Sequence, residues 1–173
     1  MTAELFMRVG ARRAAAADLG ELLRMYGELA EEQRSIRPIW PYADGLAEPV
    51  ETALGHLLDR RDAVVVVGEI DRVVVGFLVG LEKPLLAPLA DQHIGAVELI
   101  FTDHEARGVG VGAAMLSVAL ECFEERGIDR FDARVSPGHR MAKNFFESNG
   151  FKARSITMHR SGAADVADHE ARP

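Results

Sequence analysis

The run Arg107-Gly108-Val109-Gly110-Val111-Gly112 constrains this chain more than any other stretch. It follows an apolar, β-rich segment and opens a long amphipathic one, so it reads as a strand-to-helix turn. A helix N-terminus leaves backbone N–H groups without intrahelical acceptors and carries partial positive charge. Glycines there remove the side chains that would hold an anion away from the backbone. The expectation is an anion cradle suited to a pyrophosphate. A second reading stays open, a glycine-rich turn that lets the helix pack closely on the sheet. Two other phosphate motifs are set aside. A Walker A loop ends in Gly-Lys-Ser/Thr, whereas Gly112 is followed by Ala113-Ala114. The dinucleotide fingerprint needs Gly-x-Gly-x-x-Gly, and the glycines at 108, 110 and 112 do not match it.

The rest of the chain supplies the frame. Residues 5–12 read as a first strand. Leu19, Leu22, Leu23, Tyr26, Leu29 and Ala30 then recur at helical spacing, with Asp18 just ahead as a cap or first-turn acid. Residues 37–42 break that helix at two prolines and hold the only Trp. Val50, Ala53, Leu54, Leu57 and Leu58 mark a second helix. Residues 63–67 and 73–81 are β-rich, and Asp71 lies in the turn between them, which predicts a hairpin. Both runs are nearly all apolar, as expected of strands covered on both faces. Residues 83–94 carry two prolines and read as a loop. A fourth strand is predicted over 95–102, a helix over 110–126 stopped by Gly127, and a fifth strand over 130–135. A helix over 139–148 ends at Asn149-Gly150, and a last strand covers 151–159. Strand hairpins mixed with strand–helix–strand units predict an α/β (α+β mixed) fold with helices packed on a mixed sheet.

A length of 173 residues favours one domain with a real core, placed over residues 1–160, followed by a small, polar, acidic stretch read as a flexible tail over 161–173. The formal net charge is −7 and Lys is rare, which disfavours nucleic-acid binding. An acidic body is compatible with a cationic acceptor such as an amine. No apolar run reaches the roughly 18 residues that span a bilayer, so no membrane partner is expected. Glu4 and Arg8 interrupt the N-terminal apolar stretch, unlike a signal peptide. Cys122 is the only cysteine; on the apolar face of its helix it reads as core, and a lone thiol fits a reducing cytoplasm. The expected localisation is cytoplasmic.

On these residues the chain resembles the GNAT superfamily of N-acetyltransferases. Three features carry the resemblance: Arg107-x-x-Gly110-x-Gly112 after a strand; the block Ala142-x-x-Phe145-Phe146-Glu147-x-x-Gly150-Phe151, similar to the family's Ala-x-x-Leu-Tyr-Glu-x-x-Gly-Phe; and an opening strand followed by an amphipathic helix. It reaches to about residue 160 and is specific over 98–151. The resemblance implies a mixed, mostly antiparallel sheet of roughly six to seven strands with about four helices, its fourth and fifth strands splayed. It implies acetyl-CoA as cofactor and coenzyme A as product. Arg107, Gly108, Val109, Gly110, Val111, Gly112 and Ala113 would bind the coenzyme, the pyrophosphate resting on Val109 to Ala113. The pantetheine arm would pair with the fourth strand at Ile100, Phe101 and Thr102, with His139, Phe145 and Phe146 completing the coenzyme site. A homodimer is compatible with the family. Three positions depart from its pattern: Phe146 stands at the usual proton-donating Tyr, His139 at a common Asn and His104 at a common Pro.

Transfer to an amine requires the unprotonated form, only about one part in two thousand of an alkyl amine at pH 7. The candidate base is Glu98, the one charged residue in Val97-Glu98-Leu99-Ile100-Phe101. Burial beside the thioester gap is expected to raise its pKa. A Glu on the solvent side of an edge strand, or paired to an Arg for structure, is the alternative. His139, Ser136 or water could protonate the leaving thiolate. His139 at a helix start with no catalytic role is the other reading. Trp40 and Tyr42 could hold a small-molecule or peptide amine acceptor, or Trp40 could anchor its loop. No metal is invoked. No Cys or Ser sits in a convincing nucleophile–base setting, so direct attack on the thioester is expected. The alternatives are a non-catalytic acyl-CoA-binding sensor and an interaction module whose glycines are purely structural.

Overall fold

The computed structural model describes residues 7–36, 45–86, 88–89 and 91–158. Among them five strands form one sheet in chain order: β1 (Val9–Arg13), β2 (Ala63–Ile70), β3 (Val73–Pro84), β4 (His93–Thr102) and β5 (Phe131–Ala133). Neighbours from β1 to β4 are antiparallel, and β4 with β5 is parallel. Four α-helices flank the sheet: α1 (Leu19–Ser35), α2 (Val50–Asp59), α3 (Val111–Glu124) and α4 (Arg140–Ser148).

The apolar runs of β2 and β3 are explained by two cores, one on each face. Successive strand side chains point to opposite faces. Val65 and Val67 therefore join Leu22, Met25, Leu54 and Phe77 on the α1–α2 side. Val64 and Val66 join Val111, Met115, Phe123 and Phe146 on the α3 side. Phe123 anchors α3 where β4 begins to pair with β5. A Cβ at Gly95 would stand 2.6 Å from its ring and one at Gly80 2.9 Å, so only glycines admit it.

The sheet differs from expectation in count and extent. Five strands are present among the described residues instead of six or seven, although the mixed class holds. Residues 151–158 form no strand, and residues 159–173, with the expected tail, lie outside the described residues. β5 is three residues long rather than six, because it diverges from β4 after Val97↔Ala133. The expected loop over 83–94 is partly strand: Lys83 faces Ile94 and Pro84 faces His93, extending the β3–β4 hairpin. Proline is tolerated there because it ends the strand, where its missing N–H breaks little of the ladder. The hairpin turn holds Asp71 and Arg72, both at positive φ, as a two-residue turn between twisted strands demands. No helix among the described residues is long and apolar enough to cross a membrane.

Candidate functional site

The site begins with a register fault. Val79 pairs with Leu99 and Gly80 with Val97, leaving Glu98 as the extra residue of a β-bulge on β4. A bulge re-aims the side chain it inserts. At the same level β5 leaves the sheet. Its last link is Arg134 N–H donating to the Val97 carbonyl at 3.1 Å, so β4 beyond Val97 runs on with no β5 partner. This is the splay expected between the fourth and fifth strands.

A cavity of about 190 Å³ opens into that wedge. Leu29 and Gln33 of α1 and Leu57 of α2 wall one side, and Glu98 and Ile100 line its floor. Arg134, Ser136 and His139 close it from the β5–α4 side. Glu98 is not in the apolar setting expected from its strand. Lys83 Nζ donates to its Oε1, Arg134 Nε lies 3.8 Å from Oε2, and the side chain is 21% exposed. A second depression, about 250 Å³, lies at the β1–β2 end of the sheet among Arg8, Glu69, Asp71 and Arg72, away from this wedge.

The glycine segment turns beside the far end of β4. Gly108 and Gly110 have φ of 79° and 100°, the left-handed region glycine favours. A Cβ at either would meet nothing within 4 Å, so their backbone faces open space. Gly110 caps α3, and Ala114 N–H donates to its carbonyl at 3.0 Å. The amides of Val111, Gly112 and Ala113 precede that bond, in the first turn where helical N–H groups lack intrahelical acceptors. Gly112 has a further job. A Cβ there would lie 3.2 Å from the Phe145 ring, so it seats α4 against α3. The packing reading thus holds at Gly112, while Gly108 and Gly110 leave their backbone open.

Several side chains named from the sequence are committed elsewhere. Arg107 turns its guanidinium away from the glycines, bonding both oxygens of Glu32 at 3.1 and 2.6 Å and the Thr102 carbonyl at 2.9 Å. It also lies over the Phe101 ring, 5.6 Å from the centroid. Phe101 and Val111 are buried in the two cores, so only their backbone is available to a ligand. Phe146 is buried too, with its ring 5.1 Å from Phe145 and 5.3 Å from Phe151. Cys122 is half-buried against the same core. His139 caps α4: its Nδ1 accepts from Ala142 N–H at 3.1 Å. An accepting Nδ1 carries no proton, which puts the ring hydrogen on Nε2, 3.7 Å from Glu32 Oε1. Trp40 and Tyr42 lie outside the described residues.

Sequence reading missed Glu32, Gln33, Lys83 and Arg134. Glu32 is 13% exposed. Burial pushes its carboxyl up, but the Arg107 hydrogen bonds and charge, with His139 and His104 nearby, outweigh that and hold it below the usual carboxylate range. Lys83 had one usable signal, a lone cation closing an apolar strand in a lysine-poor chain.

Comparison with known proteins bears on this arrangement. The family model described as the acetyltransferase (GNAT) family matches residues 22–151. An uncharacterized N-acetyltransferase of Archaeoglobus fulgidus is 30% identical over 141 residues, covering 82% of this chain and 91% of that protein. Among solved structures, a ribosomal-protein-alanine N-acetyltransferase from Brucella melitensis superposes with a TM-score of 0.68 at 21% identity, over 89% of this chain and 99% of that one. The aminoglycoside N-acetyltransferase AAC(6')-Iy in complex with CoA gives 0.69 at 15% identity, over 94% and 99%.

Proposed function

The chain belongs to the acetyltransferase (GNAT) family, and from that premise we propose that it transfers an acetyl group from acetyl-CoA to a primary amine by direct attack on the thioester. The observation that carries this reading is Glu98, set at the bulge where β5 leaves β4 and on the wall of the cavity that the wedge encloses. The fit to the coenzyme rests on the open backbone at Gly108 and Gly110, followed by the first turn of α3. Those amides would hold the pyrophosphate, and the β4 edge over residues 100–102 the pantetheine arm. Bound acetyl-CoA supplies a thioester carbonyl and a thiol leaving group. Glu98 takes the proton of the incoming ammonium through a carboxylate oxygen, directly or through water. Ser136 and His139 line the same cavity; the Ser136 hydroxyl can hydrogen-bond the departing sulfur, whereas the Nε2–H of His139 lies 3.7 Å from Glu32 Oε1. His139 is a donor here rather than an acid, because its Nδ1 is occupied by the cap. Phe146, buried in the core, takes no part in proton transfer.

The rival reading, an acyl-CoA-binding module without turnover, draws on Phe146 in the Tyr position and on the Lys83 contact to Glu98. Calorimetry with acetyl-CoA and a turnover screen on amines separate the two. We expect a Kd of about 1 μM, near −8.2 kcal/mol. Gly110→Trp, checked for native circular dichroism, should abolish it, because the indole fills the open side of the turn. Binding without transfer to any amine supports the module. No binding by the native chain removes the coenzyme reading.

A further inference from the structure

Most polar side chains on the cavity wall are already engaged. Glu98 faces Lys83 and Arg134, and Arg134 is engaged in turn. His139 caps α4 through Nδ1 and turns Nε2 toward Glu32. The Ser136 hydroxyl is the group offered to the departing sulfur. Gln33 is left over. It lines the cavity, and its side-chain amide makes no hydrogen bond to any described residue. Among the described residues no side-chain nitrogen or oxygen sealed from solvent lacks a partner, so neither end of that amide is shut inside the protein. Its place in α1 is not one the fold asks a polar residue to fill. Leu22, Met25 and Leu29 form the buried stripe of α1, and Gln33 follows Leu29 by one turn on the same face. Leucine and glutamine favour a helix about equally, so helix formation does not call for Gln33 either. A partnerless amide that interrupts a buried stripe is a local departure of the kind found at functional sites. The rest of the wall is largely apolar, with Leu29, Leu46, Leu57, Val79, Leu81 and Leu99.

We propose that Gln33 selects the acceptor, by hydrogen-bonding a neutral amide group carried by an amine whose body is apolar. This rests on the acyltransferase reading above. An acceptor that fills a cavity of about 190 Å³ displaces the water that solvates Gln33. The amide then needs a partner on the acceptor, and an all-carbon body leaves it unpaired. A carboxamide can pair with both ends of the Gln33 amide at once, its carbonyl accepting and its N–H donating. Gln33 carries no charge, so it offers no counter-ion to a carboxylate or to a second ammonium. The leucines take the carbon chain, and the amine end goes to Glu98.

The test uses the full chain with acetyl-CoA and two matched pairs of primary amines, one with a short and one with a long spacing between amine and amide. The short pair is L-leucinamide and its alkyl analogue, with an isopropyl group in place of the carboxamide. The long pair is the amide of ε-aminocaproic acid and its corresponding isopropyl analogue. Thiol release gives rates, mass spectrometry identifies the N-acetyl product, and saturation-transfer NMR with coenzyme A present reads binding apart from turnover. In at least one pair the carboxamide should exceed its analogue in kcat/KM, with the same rank in binding. Gln33→Leu should shrink that ratio by on the order of tenfold to a hundredfold, through KM. Because the ratio is compared between proteins, the different basicities of the amines cancel. Gln33→Leu should also hold or raise the urea midpoint, which loss of a structural glutamine would lower. Gln33→Met, unbranched and near the same length, repeats both measurements with the least change of shape. Alkyl analogues that match both carboxamides overturn the proposal. So do a ratio unmoved in both variants, a midpoint lowered in both, or no carboxamide binding by a chain that binds acetyl-CoA. L-leucine or ε-aminocaproic acid outrunning its own amide overturns it too, since a charged group would then be the one read. A chain that binds no acetyl-CoA fails at the preceding reading and takes this one with it.

Discussion

Two carboxylates, Glu98 at the wedge between β4 and β5 and Glu32 beside Arg107 past the end of β4, are held in opposite ways. Glu32 is 13% exposed and gives both oxygens to one guanidinium. That guanidinium also bonds the Thr102 carbonyl and covers Phe101, so α1, the end of β4 and the glycine turn are tied together. Glu98 is 21% exposed and has one contact from a lysine and a longer one from Arg134, itself 58% exposed. A planar fork bound to two oxygens is a fixed joint, whereas an ammonium on a flexible stem is a movable point charge. Charge around the site is thus divided by purpose. One pair ties α1 to the end of β4 and the glycine turn, and the other leaves a carboxylate exchangeable at the cavity where we propose the chemistry takes place.

The comparison breaks first, and most visibly, at Glu98. Glu98→Gln should lower turnover on amines by about 10²–10⁴-fold while leaving the acetyl-CoA Kd unchanged. Unchanged turnover would make Glu98 a structural partner like Glu32. The next effect is on stability. Glu32→Gln leaves Arg107 without its carboxylate and should cost on the order of 2–3 kcal/mol in urea melts. Its pH dependence follows from the lowered carboxyl of Glu32. A carboxylate depressed in the folded state contributes stability that is complete above its unfolded value, about 4.3. That contribution is lost as pH falls through the still lower folded value. The gap between native and Glu32→Gln melts should therefore be flat near neutrality and close only in strong acid; a gap that opens as pH falls contradicts the pairing. The smallest effect sharpens the contrast. Arg107→Lys keeps the charge but not the fork and should cost about 1 kcal/mol, read as a lowered midpoint with an unchanged slope in the same melts.

Much of this was legible because it depends on local rules. The unbroken valines of β2 announced a strand covered twice, and two cores do cover it. Glycines at 108 and 110 announced a turn with an open backbone, and their positive φ values accord with it. Glu98 was conspicuous as the charged residue in an apolar strand. Its surroundings were not legible. The strand pattern predicted burial in an apolar gap, but the bulge turned the side chain toward Lys83, which the prolines had assigned to a loop. Phe146 was named for its place in a motif, although its aromatic neighbours Phe145 and Phe151 were already a sign of core packing.

The sequence alone thus determined the two-faced strands, the helices, the glycine turn and the family likeness, because each is written in periodicity or spacing over a few consecutive residues. Which charges meet was settled by the folded chain. Arg107 finds Glu32 from 75 positions away and Arg154 finds Asp132 from 22. It also decided where β5 parts from β4 and which glycine packs against a ring while others face open space. Those outcomes depend on the register of one strand against the next and on where distant helices come to rest. A side chain's type does not encode its partner; the path of the chain between them does.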